Sequence, residues 1–171
     1  MSADSNALHW RRMAAGDLAA VSRMAAIIHT GFFEEDAIYS ERLELYPEGC
    51  HLLQAASGEA LGYAITHPWR LYSMPALNSM LERLPTTPST YYLHDIALMP
   101  AARGTGAAGR IVSLLAAHAG EQGFDTMSLV AVNNSAGFWQ KHGFEIDDRP
   151  ELEAKLRTYS DDARFMLRRL R

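Results

Sequence analysis

Between Thr90 and Gly123 the chain changes its hydrophobic period once, and that change limits the folds open to it. "TYYLHDIALMP", Thr90 to Pro100, is dense in aromatic and branched residues and reads as a strand. "GRIVSLLAAHAGEQG", from Gly109, sets Ile111, Leu114, Leu115 and His118 on one helical stripe, and Gly123 is a natural stop. Between them lies "PAARGTGAAGR", Pro100 to Arg110. A strand that turns through glycines into a helix is a unit of layered α/β or α+β architecture, with the helix packed back on the sheet. Such a turn leaves main-chain N–H groups uncovered at the positive end of the helix, where an anion is favoured.

The rest of the chain reads consistently with that unit. "LHWRRM" is a short strand. A helix follows with Asp17 as its expected N-cap and Leu18, Val21, Met24, Ala25 and Ile28 at helical spacing. A loop at "GFFEED" leads into a second helix that ends before Pro47. "CHLLQAA" and "ALGYAITHPW" form two strands joined at Ser57-Gly58. A short amphipathic helix is expected at Ala76 to Leu84, between prolines. "TMSLVAV" is a buried strand, "NSAGFWQKH" a helix and "FEID" a strand. Glu151 to Thr158 is expected to be helical, and "ARFMLRRL" is a last strand, exposed at an edge where it could support a homodimer. Strand alternation places Tyr92, His94, Ile96 and Leu98 on one face of their strand, and Leu93, Asp95 and Ala97 on the other.

The glycine turn fits two frames. "GTGAAG", Gly104 to Gly109, spells G-x-G-x-x-G, the fingerprint of a dinucleotide turn. Shifted, it spells R-x-x-G-x-A from Arg103 through Gly106 to Ala108. The dinucleotide frame requires the strand to run directly into the first glycine and an acid to end the next strand. Here "PAAR" intervenes, and Asp125 precedes the next strand instead of ending it. No G-K-[ST] follows, so a nucleotide triphosphatase is unsupported as well. Arg103 can add a charge and Thr105 a hydroxyl to the uncovered amides. Taken alone, the motif is also compatible with a plain glycine-rich turn.

Composition narrows the class further. The chain has 171 residues, 48% of them apolar, a formal net charge of -4 and one cysteine, Cys50. No basic run marks a nucleic-acid footprint, and no His/Cys cluster has zinc spacing, so neither nucleic acid nor a metal is expected. No apolar run approaches the roughly 20 residues of a membrane span, and "MSADSNALHW" lacks the basic and apolar regions of a signal peptide. The expectation is a cytoplasmic protein with no membrane contact.

With its flanks, the pattern resembles the GNAT superfamily of acyl-CoA-dependent N-acetyltransferases. "DIALMPAARGTGAAGRIVSLL" is similar to that family's strand, pyrophosphate loop and helix. "VAVNNSAGFWQKHGFE" resembles the strand and helix that follow. "RRMAAGDLAAV" and "GEALGYAITHP" resemble its first strand and helix and its central hairpin. The resemblance implies one domain over residues 1–171, with a mixed, twisted sheet of about six or seven strands flanked by helices and splayed at the strand ending at Met99. It implies acetyl-CoA as acyl donor. The pantetheine would pair with Ile96, Ala97 and Leu98, and the diphosphate would rest on Arg103, Gly104, Thr105, Gly106, Ala107 and Ala108. Asn133 or Asn134 would contact pantetheine, and Phe138 and Trp139 would flank its thiol end.

Acetyl transfer to an amine needs a base for the ammonium, a donor for the oxyanion and, usefully, an acid for the thiolate. An imidazole can take up a proton near physiological pH, and by resemblance to the arylalkylamine branch His94 is the expected base. The Leu98 N–H is the expected oxyanion donor. A glutamate that other members place in the next strand is absent, since Val130 and Ala131 stand there. The tyrosine that many members use as acid is Trp139 here, which leaves an unassisted thiolate, Tyr159 or Tyr92. Asp95 would orient substrate or pair with a basic residue. Phe32, Phe33 and Glu34, with Tyr92 and His94, form the expected acceptor mouth, suited to a small cationic or aromatic amine. A peptide N-terminus, a protein lysine and a non-catalytic acyl-CoA-binding module remain as alternatives. Cys50 lies far from both motifs, which disfavours an acyl-cysteine route.

Overall fold

A computed structural model describes residues 7–171; residues 1–6, part of the stretch read for a signal peptide, lie outside the described residues. Seven strands form one sheet in the order β1-β2-β3-β4-β5-β7-β6. They are β1 (Leu8–Arg12), β2 (Cys50–Ala55), β3 (Ala60–Trp69), β4 (Thr90–Leu98), β5 (Thr126–Ala131), β6 (Glu145–Ile146) and β7 (Arg164–Arg169). The helices are α1 (Leu18–Ile28), α2 (Asp36–Leu45), α3 (Ala107–Glu121), α4 (Ala136–Gln140) and α5 (Glu153–Arg157). Only β4 and β5 run parallel; every other pair is antiparallel. The crossover between those parallel strands is the turn and helix α3 that the period change announced. Among the described residues, no helix is long and apolar enough to cross a membrane.

The two faces of the sheet carry separate cores. Under α3, Leu93, Ile111, Leu115, Met127, Leu129, Trp139, Phe144 and Met166 pack together. Under α1 and α2, Val21, Met24, Tyr39, Leu52, Tyr63, Ile65 and Ala97 do so. Burying such side chains contributes about 1.5–3 kcal/mol each. The buried face of α3 is Ile111, Val112, Leu115 and Ala119, so Leu114, expected on that stripe, faces out and is 43% exposed.

Four local expectations are corrected. Asp17 does not cap α1 with its side chain; its carboxylate accepts the Ala14 N–H and takes both Arg11 Nη atoms at 2.8 Å. Residues 76–84 are not helical, because Asn78 and Glu82 sit at φ +57° and +67°, which a right-handed helix forbids. That segment is held by carboxylates instead: Glu34 accepts the Asn78 N–H, and Glu41 accepts those of Leu81 and Glu82. β7 is no edge strand; β6 pairs with its outer side, which removes the edge on which a dimer was expected.

The fourth correction concerns β4. Ile65 faces Asp95 and Thr66 faces Leu93, so His94 has no partner on β3 and a bulge forms. The bulge breaks strict alternation. Tyr92, His94 and Asp95 all line one pocket toward α1, while Leu93 and Ile96 pack toward α3.

Candidate active site

β4 and β5 pair only at Tyr91–Met127 and Tyr92–Ser128, although both strands continue. Beyond that point they splay. The Met99 N–H bonds to Leu61 O, and Ala97 faces Tyr63 in the same ladder. Alternation of an antiparallel ladder then turns the N–H and C=O of Ile96 and Leu98 away from β3, into the splay. Ala97 turns its own toward β3, so it offers a wall there and no main-chain donor.

A cleft of about 580 Å³ opens on this edge, lined by Ile96, Ala97, Leu98, Arg103, Gly104, Gly106, Ala107, Ala108 and Phe138. Ile28, Ala102, Gly109 and His142 complete it. Gly104 and Gly106 take φ +74° and +83°, and Gly106 starts α3 with no side chain over the first-turn amides. Those amides have no intrahelical partner; the Ala107 N–H points to Thr105 Oγ1 at 3.4 Å, and the helix end as a whole favours an anion. No carboxylate lines this cleft.

Four residues expected at the coenzyme do not line it. The Thr105 hydroxyl donates to Ala102 O, so it braces the loop from within. Asn133 and Asn134 both adopt φ +55° and make the left-handed turn from β5 to α4, where the Asn134 N–H donates to Asp162. Trp139 is 9% exposed and packs edge-on against Phe144 in the core under α3. Its neighbour Phe138 is the residue that reaches the cleft, edge-on to His142 with ring centroids 4.8 Å apart. His142, two residues past the end of α4, lines the cleft without a local sequence signal to mark it.

A second, smaller pocket of about 60 Å³ is lined by chain neighbours of cleft residues, His29 after Ile28 and Asp95 before Ile96. Phe32, Glu34, Tyr92 and His94 line it, as expected; Phe33 is 71% exposed and does not. The chain leaves α1 here without regular structure, and that lets Phe32 turn in while Phe33 turns out. His29, Leu77, Asp95, Val130, Val132 and Tyr159 fill the remaining wall. Val130 thus gives an apolar surface where other family members were expected to carry a carboxylate.

The polar groups of this pocket are paired. His94 Nε2 lies 2.7 Å from Glu34 Oε1, and Glu34 Oε2 takes the Asn78 N–H at 3.0 Å. Burial opposes the Glu34 charge. His94, Asn78 and the buried Arg42 outweigh it, and the carboxyl sits below its usual range. His29 Nε2 lies 2.7 Å from Asp95 Oδ1, and the Tyr63 hydroxyl donates to Asp95 Oδ2 at 2.6 Å. Behind His94, burial pushes His67 down to about 3, so that ring stays neutral. Burial also pushes the Tyr159 phenol up to about 12 and Tyr92 well above its ordinary value. Cys50 is fully buried, and burial pushes its thiol up to about 12, which makes it unreactive.

Comparison with known proteins agrees with this architecture. The loading GNATL domain of CurA from Lyngbya majuscula superposes with a TM-score of 0.78 at 12% identity, over 96% of this chain and 98% of that one. Ard1 from Thermoplasma volcanium gives 0.71 at 17%, over 95% and 97%. The N-acetyltransferase YhbS from Escherichia coli, solved in complex with CoA, gives 0.65 at 15%, over 100% and 86%. Among curated proteins no relative matches the sequence. The sequence model described as the acetyltransferase (GNAT) family matches residues 19–144 of the 171, and the chain therefore belongs to that family.

Proposed function

We propose that this protein moves an acetyl group from acetyl-CoA directly to the nitrogen of a small primary amine. The observation that carries this reading is the splay: β4 parts from β5 after Tyr92, the carboxylate-bearing pocket is lined by Tyr92, His94 and Asp95, and the anion-suited cleft begins at the next residue, Ile96. Coenzyme A fits the cleft by three features. The uncovered amides after Gly104 and Gly106, with Arg103, suit a diphosphate. The outward main-chain groups of Ile96 and Leu98 suit the amides of pantetheine, which would add to β4 as a short strand. Phe138 offers an apolar wall.

The residues then divide the chemistry. Glu34 accepts from His94 Nε2, so the neutral ring carries its lone pair on Nδ1 and serves as base. The Ile96 N–H, two residues from His94, is the splay-facing donor nearest the acceptor pocket and suits the charge that develops on the acetyl oxygen. The Leu98 N–H, expected in that role, lies about 7 Å further along the strand, beside the diphosphate loop, and suits pantetheine. Trp139 supplies no acid, and buried phenols at Tyr159 and Tyr92 hold their protons too tightly to serve. The thiolate leaves unassisted, with a pKa near that of free cysteine, about 8.5.

Pocket size supports a small acceptor. About 60 Å³, with Leu77 of the irregular segment in its wall, suits a short substituent. Glu34 and Asp95 favour a cation. Ard1 and the peptide-bound NatC complex share the fold, so a peptide N-terminus is the acceptor to compare.

Two measurements test the reading. Thermal shift with CoA, acetyl-CoA and NADH should give stabilisation by the first two only. A free-thiol assay over small amines, peptides and lysine analogues should respond most to small primary amines. Stabilisation by NADH alone would overturn the coenzyme assignment. Tight CoA binding with silence across the panel would favour a non-catalytic acyl-CoA-binding module.

A further inference from the structure

The acceptor pocket contains a second histidine–carboxylate pair that the scheme above does not use. His29 follows the last turn of α1, and its Nε2 stands 2.7 Å from Asp95 Oδ1. Tyr63 fixes the other Asp95 oxygen, as the Asn78 N–H fixes the second oxygen of Glu34. The two pairs are built alike. Each carboxylate is tied at both oxygens and can only accept, so each neutral ring carries its proton on Nε2. Nδ1 of either ring then holds the lone pair, and neither Nδ1 has a protein partner among the described residues. Both rings line the same pocket of about 60 Å³.

The reaction has a use for two bases. An alkylamine arrives as R–NH₃⁺ and must lose two protons to become an amide nitrogen. The first must go before attack, to free the lone pair. The second goes once the C–N bond has formed. One base on one lone pair can serve both only by shedding its proton between the two events, inside a pocket that the substrate closes.

Resting on the transfer reading above, we propose that His29, positioned by Asp95, is a second catalytic base that takes the proton with which an ammonium acceptor arrives. The steps balance. R–NH₃⁺ passes H⁺ to His29 Nδ1. The neutral amine attacks the thioester carbonyl, the C–N bond forms, and His94 takes the second proton. The C–S bond breaks, and its electron pair leaves on sulfur. The thiolate takes the proton held by His94, directly or through water, and the other is released to water from His29. The net change is R–NH₃⁺ plus acetyl-CoA giving the acetamide, CoA thiol and H⁺.

The surroundings of His29 suit that role. It is held by Asp95 from β4 and feels the charge of Glu34 from the loop after α1; Tyr63 from β3 donates to Asp95, and Tyr39 from α2 packs on Tyr63. Burial works against its charge. The hydrogen bond and charge of Asp95, with Glu34, outweigh burial and raise its pKa, so the neutral ring is a stronger base than a free imidazole.

A purely structural tie between α1 and β4 would slow all acceptors alike, and the test uses that difference. Two acceptors are compared: an alkylamine, cationic at pH 7, and a weakly basic aromatic amine, neutral there. His29→Gln should lower kcat/KM about 100-fold for the alkylamine and less than about threefold for the aromatic amine, which also certifies the fold. His29→Asn should repeat the pattern. His94→Gln should impair both. A second readout needs no turnover: without coenzyme, adding the alkylamine should move the His29 ring signals in NMR toward imidazolium, and the aromatic amine should not. Equal losses with both acceptors, or His29 signals that ignore the alkylamine, would overturn the proposal. If wild-type protein releases no thiol with either amine, the transfer reading fails, and the NMR arm still judges His29.

Discussion

The cleft at the glycine turn and the pocket around His94 draw on neighbouring residues of β4, yet they are built in opposite ways. Most of the cleft comes from one stretch between Ile96 and Gly109, with Ile28, Phe138 and His142 added. The pocket draws on five separate stretches: His29 to Glu34, Leu77, Tyr92 to Asp95, Val130 to Val132, and Tyr159. The cleft works through main-chain amides and contains no carboxylate. The pocket works through side chains and holds two carboxylates, each bound to a histidine. A shared ligand can be held by a local backbone motif. A particular acceptor is selected by side chains that only the folded chain brings together.

If the division holds, changes on the two sides should separate in their kinetics. The largest effect is expected for His94→Ala, which should lower kcat by about 10²–10⁴ and leave CoA affinity unchanged. A parallel loss of CoA affinity, measured by calorimetry, would break the comparison.

Next comes Gly106→Val. At φ +83° a branched side chain costs about 1–2 kcal/mol and would project at the mouth of the diphosphate loop. CoA affinity should fall about tenfold or more, while the amine KM at saturating coenzyme stays the same. A raised amine KM would show that the two sides are coupled through α3.

Acid sensitivity should belong to the acceptor side. His67 has an ordinary value of 6.5 and is held at about 3 in the fold. Unfolded protein therefore binds more protons between those values, and stability falls as pH drops through that window. Glu34 adds to the loss below its ordinary 4.5, where its depressed carboxyl finally protonates. His29 acts in the other sense: its contribution is complete below 6.5 and is lost as pH rises through its raised value. Thermal melts from pH 7 to 4 should show a falling Tm, and His67→Gln should reduce that slope. A slope unchanged in this variant would assign the effect elsewhere, His51 at about 4 being the next candidate.

The smallest effect is expected for Phe33→Ser. This ring is 71% exposed and lines neither cavity, so stability should stay within about 0.5 kcal/mol and the amine KM should not move. A several-fold rise in KM would return Phe33 to the acceptor mouth.

What could be read from the sequence follows the same line. The strand, turn and helix from Thr90 to Gly123 were legible because period and glycine placement are local signals. Arg103 and Gly106 could be placed for the same reason. The His29–Asp95 and His94–Glu34 pairs span 66 and 60 residues, and nothing local marks them. The bulge that turns His94 and Asp95 to one side is a property of pairing with β3, so alternation along β4 could not reveal it. Residues 76–84 had helical spacing, but the carboxylates of Glu34 and Glu41 compete for their amides. Trp139 stood in a motif position, and only packing against Phe144 shows that it belongs to the core.

On the proposed reading, donor and acceptor meet across the splay and react directly. Initial rates with acetyl-CoA and a small primary amine, both varied, test this most plainly. A family of intersecting double-reciprocal lines is expected, with one N-acetylated product per thiol released and Cys50 unmodified by mass spectrometry. Parallel lines with an acetylated Cys50 would contradict it.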